Sequence, residues 1–253
     1  MIKDWNQVDR NRDLSSKELE KPSPKGQSKL VSRILSPAVQ LWLRSQLQKV
    51  EYLQVKIEGS DRQLLRGAIP KISLIARAAI YQGLHLTEVK VAAESIGIDL
   101  GRVLRGKPLR ILAPFPVNCE LELTEADFNA SLESPMLANA VIDFLTPLLL
   151  DVGLQLPINL ANPQIIINSD RLTLLATILD ANSAPIPLLI NLTIGVEGDG
   201  ELIFQLLDLQ LSSQQKKLPS NTIKTDLGSD VEIEQLTLIP GKLAVKGKLA
   251  VRP

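Results

Sequence analysis

His85 and Cys119 are the single histidine and the single cysteine of the 253-residue chain, and neither has companions at the spacing that chemistry requires. A zinc site gathers several His, Cys or carboxylate ligands, and a hydrolytic triad needs a base oriented beside its nucleophile; neither set assembles here. The stretch GRVLRGKP at 101–108 places Gly101, Gly106 and Lys107 as in a phosphate-binding loop. Its closing position, which should be Ser or Thr, is Pro108, and proline also lacks the N–H that a phosphate cradle uses. Asp99, Asp127, Asp143 and Asp180 fall at the ends of elements, where capping and turn roles account for them. The expectation is a protein that is not an enzyme, with no catalytic residue, no metal and no cofactor.

The chemistry that remains is that of surfaces. Arg102, Arg105, Lys107 and Arg110 alternate with Val103, Leu104, Leu109 and Ile111. Such a mixture suits contact with an anionic membrane, cations at the headgroups and aliphatic groups just below; a solvated turn is the plainer alternative. A second basic set, Lys242, Lys246, Lys248 and Arg252, shares one face of the last strand, where lysines on an exposed edge discourage the addition of further strands. Twenty-eight basic residues balance 28 acidic ones, and Trp5 and Trp42 stand far apart. Neither the basic excess nor the stacking platform of a nucleic-acid binder is present.

The elements that carry these residues are mostly strands. In PIPLLINLTIGVEG at 185–198, Ile186, Leu188, Ile190, Leu192, Ile194 and Val196 recur at a period of two, which no helix produces. Further strands are expected over 53–58, 68–81, 84–99, 116–124, 163–169, 171–180, 201–211, 231–239 and 242–251. The two at 68–81 and 84–99 are unusually long, ~45 Å at ~3.3 Å per residue, and Gly83 and Gly97 are natural places for bends or bulges. RLTLLATIL at 171–179 is apolar on both faces, as in a strand sandwiched between layers. Helices are few. Ser36-Pro37 is a start signal inside a helical segment, with Val39, Leu43 and Leu47 stacked at four-residue steps. Thr124 and Asp127 suggest a short capped helix, and Ser134-Pro135 opens PMLANAVIDFLTPLLLD, which Pro147 should kink or end.

Residues 1–27 lack periodicity and read as a disordered arm, with one domain over 28–253 and a mobile polar loop at 212–229. The polar N-terminus shows no apolar run of a secretory signal, and the lone cysteine fits a reducing compartment, so a cytoplasmic location, peripheral at the membrane, is expected. Hydrophobic residues make up 45% of the chain but aromatic ones only 3%, so its interior is lined by aliphatic groups. Two amphipathic helices cover too little of so large an apolar sheet, and the remaining surface must bind or associate.

Against this background VEYLQVKIEGSDRQLLRGAIPKISLIARAAIYQGLHLTEVKVAAESIGIDL, LTEADFNASL, INSDRLTLLATI and DLGSDVEIEQLTLIPGKLAVKGKLAV resemble the LmeA-like phospholipid-binding family of bacterial proteins, over about residues 30–252. The resemblance rests on the order of many loose patterns. It implies an α+β, tubular lipid-binding-like fold, with a long, highly curved antiparallel sheet wrapped around one or two amphipathic helices and phospholipid along the apolar interior.

The expected function is therefore to bind phospholipid or another long-chain lipid in an elongated apolar groove and to carry it at a cytoplasmic membrane face. Val39, Leu43 and Leu47, then Val141, Phe144, Leu145 and Leu148, then Leu188, Ile190, Leu192 and Ile194 are the expected lining. The alternative is a non-enzymatic structural or protein-interaction module with a filled core.

Overall fold

The computed structural model describes residues 30–107, 110–154, 157–180, 184–198, 201–211, 214–216 and 222–253, so the arm expected over residues 1–27 lies outside the described residues. The chain runs α1 (Leu30–Gln46), β1 (Lys49–Glu58), α2 (Asp61–Leu65), β2 (Ala68–Tyr81), β3 (Leu84–Gly97), α3 (Leu100–Leu104), β4 (Phe115–Thr124), α4 (Glu125–Ser131) and α5 (Pro135–Asp151). It continues with β5 (Ile158–Ile167), β6 (Leu172–Asp180), β7 (Ile186–Glu197), β8 (Glu201–Leu211), β9 (Gln214–Lys216), β10 (Thr222–Thr225), β11 (Val231–Ile239) and β12 (Lys242–Val251). The architecture is α+β and antiparallel throughout. Residues 212–229, expected as a loop, contribute β9 and β10, both paired with β8.

In place of one long sheet there are two open ones. The first has the order β1-β2-β3-β4-β12-β11, the second β10-β8-β7-β6-β5. Register explains why the first sheet is two-faced. Directly opposed residues point to the same side, and the row Leu53, Ala76, Val89, Leu121, Val245, Leu236 crosses all six strands without a polar group. The rows Val55, Leu74, Val91, Cys119, Gly247, Ile233 and Ile57, Ile72, Ala93, Val117, Leu249, Val231 do the same. The intervening residues form the opposite, charged face, where Lys71–Glu94, Lys246–Glu120 and Lys242–Glu122 pair at 3.4, 3.0 and 2.8 Å. Arg77 and Lys90 both pair with Glu88 there. The lysines of β12 are therefore not edge guards: β12 lies between β4 and β11, and its cations meet carboxylates on both sides.

Two helices cover the apolar faces. Leu35 and Val39 of α1 are buried against Val55, Ile57, Ile69, Ile96 and Val117. Leu145, Leu148 and Leu149 of α5 are buried against Ile165, Leu174, Ile178, Ile190 and Leu209 of the second sheet, and the same core reaches Leu243 of the first. Each buried leucine contributes roughly 1.5–3 kcal/mol. That sum outweighs the ~3 kcal/mol of an interior proline, and α5 runs on through Pro147 to Asp151 rather than ending there. Likewise α1 passes through Pro37 and starts earlier, at Leu30, so Ser36-Pro37 is not its start.

The long strands change phase at residues other than the glycines singled out above. Ala78 and Ser95 adopt φ of 45° and 57°, leaving Arg77 and Ala78, and Glu94 and Ser95, consecutively exposed. Gly83 makes the β2–β3 turn instead, where a side chain would also meet Ser134 Cβ at 2.8 Å. β6 is buried on one face alone: Leu172, Leu174 and Ile178 lie in the core, while Leu179 is exposed because no described element packs on the outer side of the second sheet.

What divides the sheets is α4. Thr124 ends β4 and caps this helix, accepting from the N–H of Asp127 at 3.2 Å. The helix then lies along the edge of β5, where a further strand would otherwise pair. Asn129 Nδ2 donates to the carbonyl of Ile165 and its Oδ1 accepts from the same residue's N–H, while Glu125 accepts from the N–H of Ile167 at 2.8 Å. On the other flank Ser131 Oγ accepts from the N–H of His85 at 2.8 Å, in the part of β3 that β4 has left.

Candidate functional site

An open apolar concavity lies between α1 and α3. It has a volume of about 720 Å³, within the range of roughly 300–1,000 Å³ typical of ligand sites, and is lined by Val39, Leu41, Trp42 and Val103 with Arg44 and Lys107 at its polar margin. Helix geometry explains why α1 can form one wall. Leu35, Val39 and Leu43 face the sheet, and Gln40 on one flank donates to the carbonyl of Leu53 at 2.6 Å, tying that side to β1. At 100° per residue Ala38, Trp42 and Ser45 occupy the opposite flank, and all three line the concavity.

α3 forms the other wall. Asp99 caps it, accepting from the N–H of Arg102 at 3.1 Å. The glycines of the rejected phosphate motif are thereby absorbed into a helix and its end: Gly101 lies inside α3 and Gly106 follows it at φ 68°. Arg105, Lys107 and Arg110 are exposed. Arg102 is half-buried, and its Nε is enclosed without an acceptor.

A second apolar surface lies in the middle of the first sheet. Val89, Cys119 and Leu121 occupy the apolar rows but belong neither to the core under α1 nor to the core under α5, and each is only half-buried. Leu249 is 37% exposed although its neighbour across the ladder, Val117, is 4% exposed. The core under α1 reaches Val117 and Val251, the core under α5 reaches Leu123, Leu243 and Val245, and Val89, Cys119 and Leu121 belong to neither. Burial pushes the Cys119 thiol above its ordinary value, which suits a side chain in apolar surroundings.

The residues expected to line one groove are divided by this arrangement. Val39, Leu43 and Leu47 pack on the first sheet. Val141, Phe144, Leu145, Leu148, Leu188, Ile190, Leu192 and Ile194 all belong to the core between α5 and the second sheet. There Ile190 is 0% and Leu145 1% exposed, enclosed by protein side chains, and Phe144 packs against Phe204 in a tilted arrangement with ring centroids 5.0 Å apart. Val141 also reaches a smaller depression of about 340 Å³ between α5 and β5. Of the eleven, Val39 alone borders the α1–α3 concavity.

Sequence reasoning passed over Leu41 and Trp42 as lining residues and read Val103 as part of a membrane-facing mixture. Leu41 breaks the four-residue apolar stack of α1 and stands on its solvent side, a signal that was legible. The half-covered strip was not legible, because every one of its residues looks like ordinary core until the helices are placed.

No helix among the described residues is long and apolar enough to cross a membrane. Comparison with curated proteins and with solved structures gives no match. The family model described as LmeA-like phospholipid-binding matches residues 26–248, most of the chain and both sheets, and the chain belongs to the LmeA-like phospholipid-binding family.

Proposed function

We propose that the protein binds a phospholipid, with its acyl portion against α1 and the half-covered strip of the first sheet and its phosphate near Arg44, Arg102 and Lys107. The observation that carries this reading is the half-buried apolar strip of Val89, Leu121, Cys119 and Leu249 on the first sheet, taken with the open apolar concavity between α1 and α3. Burying a methylene contributes ~0.8 kcal/mol, so an acyl chain is held without any indispensable residue. In this reading the two sheets are the walls of a tubular lipid-binding-like interior, and the protein is a carrier rather than an enzyme, peripheral at a cytoplasmic membrane face.

The filled core around α5 favours a second reading, a protein-interaction module without lipid. One experiment separates the two. Phospholipid should appear in the organic extract of the purified protein, and stripping it should raise the rate at which a thiol reagent modifies Cys119, the only cysteine. A lipid-free extract, together with Cys119 reactivity indifferent to added phospholipid, would leave the second reading.

A further inference from the structure

Charge pairing is unevenly distributed over this molecule. Away from α1, α2 and α3, each lysine and arginine with a described side chain meets a carboxylate: Lys49, Lys56, Lys71, Arg77, Lys90, Arg171, Lys224, Lys242, Lys246, Lys248 and Arg252. Arg62, Arg66, Arg105, Lys107 and Arg110 stand outside the ion pairs among the described residues, and all five are exposed.

The segments that carry these cations meet at one end of the first sheet. Gly67, next to Arg66, accepts at its carbonyl from the N–H of Ile98 at 2.8 Å. The following residue, Asp99, donates its N–H to the carbonyl of Arg110 at 2.9 Å, and Lys107 donates its own to Arg102 at 3.0 Å. α2, α3 and the 110–112 segment are thus knit together at the end of the first sheet. Among the described residues the most exposed large apolar side chains lie on the same part of the molecule: Leu41 at 71%, Leu65 at 62% and Leu112 at 59%. Leu65 sits between Arg62 and Arg66, and the N–H of Leu112 bonds to the carbonyl of Gly97, beside Ile98.

We infer that this end of the first sheet docks on an anionic phospholipid bilayer, Leu65 and Leu112 dipping below the headgroups and Arg62, Arg66, Arg105 and Arg110 meeting their phosphates. Unpaired cations interleaved with single protruding leucines match a charged interface with hydrocarbon just beneath it. A nucleic acid has no use for the leucines. The preference for a bilayer over an acidic protein rests on the phospholipid reading above. Docking here also sets the mouth of the α1–α3 concavity beside the membrane, since Lys107 belongs to both surfaces.

The test is sedimentation of the full chain with vesicles of phosphatidylcholine, with and without phosphatidylglycerol. The protein should bind the anionic vesicles, and added salt should release it. The variant R62Q/R66Q/R110Q should bind on the order of 100-fold more weakly, about fivefold per charge removed. L65S/L112S should also lose binding, while both variants keep the native thermal transition and the native Cys119 reactivity. Equal binding to neutral vesicles, undiminished binding by the charge variant, or an acidic protein captured while vesicles are ignored would overturn the inference. The groove reading fails separately, through a lipid-free extract from protein that still sediments with vesicles.

Discussion

Asn129 holds Ile165 by both of its backbone groups: Nδ2 donates to the carbonyl at 2.8 Å and Oδ1 accepts from the N–H at 2.7 Å. One side chain on α4 thus does for the edge of β5 what a neighbouring strand does elsewhere. Asn129→Leu leaves two backbone groups without partners, at ~1–3 kcal/mol each, and should destabilise the fold by ~2–5 kcal/mol. Glu125→Gln keeps an acceptor for Ile167 and should cost under ~1.5 kcal/mol. Urea unfolding of the two variants checks the contrast, and equal losses would sink the account of α4 as a strand substitute.

Leu41 and Leu145 are both helix leucines with opposite surroundings, 71% and 1% exposed. Leu145→Ala should cost ~2–5 kcal/mol through the cavity it leaves. Leu41→Ser should stay within ~0.5 kcal/mol of the native stability yet lower the phospholipid recovered on extraction. Stability is read by denaturant titration and lipid by mass spectrometry.

Gly247 and Gly195 are both strand glycines and separate in the same way. A Cβ on Gly247 would stand 2.3 Å from the carbonyl oxygen of Glu232, at the bulge where β11 presses on β12, whereas one on Gly195 meets nothing within 4 Å. Gly247→Ala should therefore destabilise by ~1–3 kcal/mol. Gly195→Ala should be neutral or stabilise by up to ~1 kcal/mol. Thermal unfolding of the pair is the measurement.

Glu88 binds Lys90 and Arg77 together, and these hydrogen bonds, Lys90 first, hold its carboxyl down at about 2, against an ordinary value of 4.5. A depressed folded-state pKa contributes stability that is present above pH 4.5 and lost as pH falls toward 2. The native protein should therefore exceed Glu88→Gln in thermal stability at pH 7, and the gap should narrow steadily below pH 4.5. A gap that is independent of pH would refute the assignment.

Much of the fold was legible because alternation is local. The strands over 186–197, 201–211, 231–239 and 242–251 have the bounds that their pattern and turn residues indicate. Thr124 and Ser134 cap the helices that their side chains announce. Prolines misled: Pro37 and Pro147 look like helix boundaries, but packing on both sides of each outweighs one missing hydrogen bond. The division into two sheets was hidden because Asn129, Glu125 and Ser131 give no sign in the sequence of which distant backbone groups they will meet.

Side-chain period alone determined that this chain is built mostly from strands with an aliphatic face, since i and i+2 point the same way whatever lies opposite. Tertiary structure decided which of those faces are sealed and which cations go unpaired. Lys242 finds Glu122 across 120 residues of chain, and Arg66 pairs with no carboxylate among the described residues. Such pairings follow from strand order and from where α1 and α5 come to rest, and both are settled by contacts between segments remote in sequence.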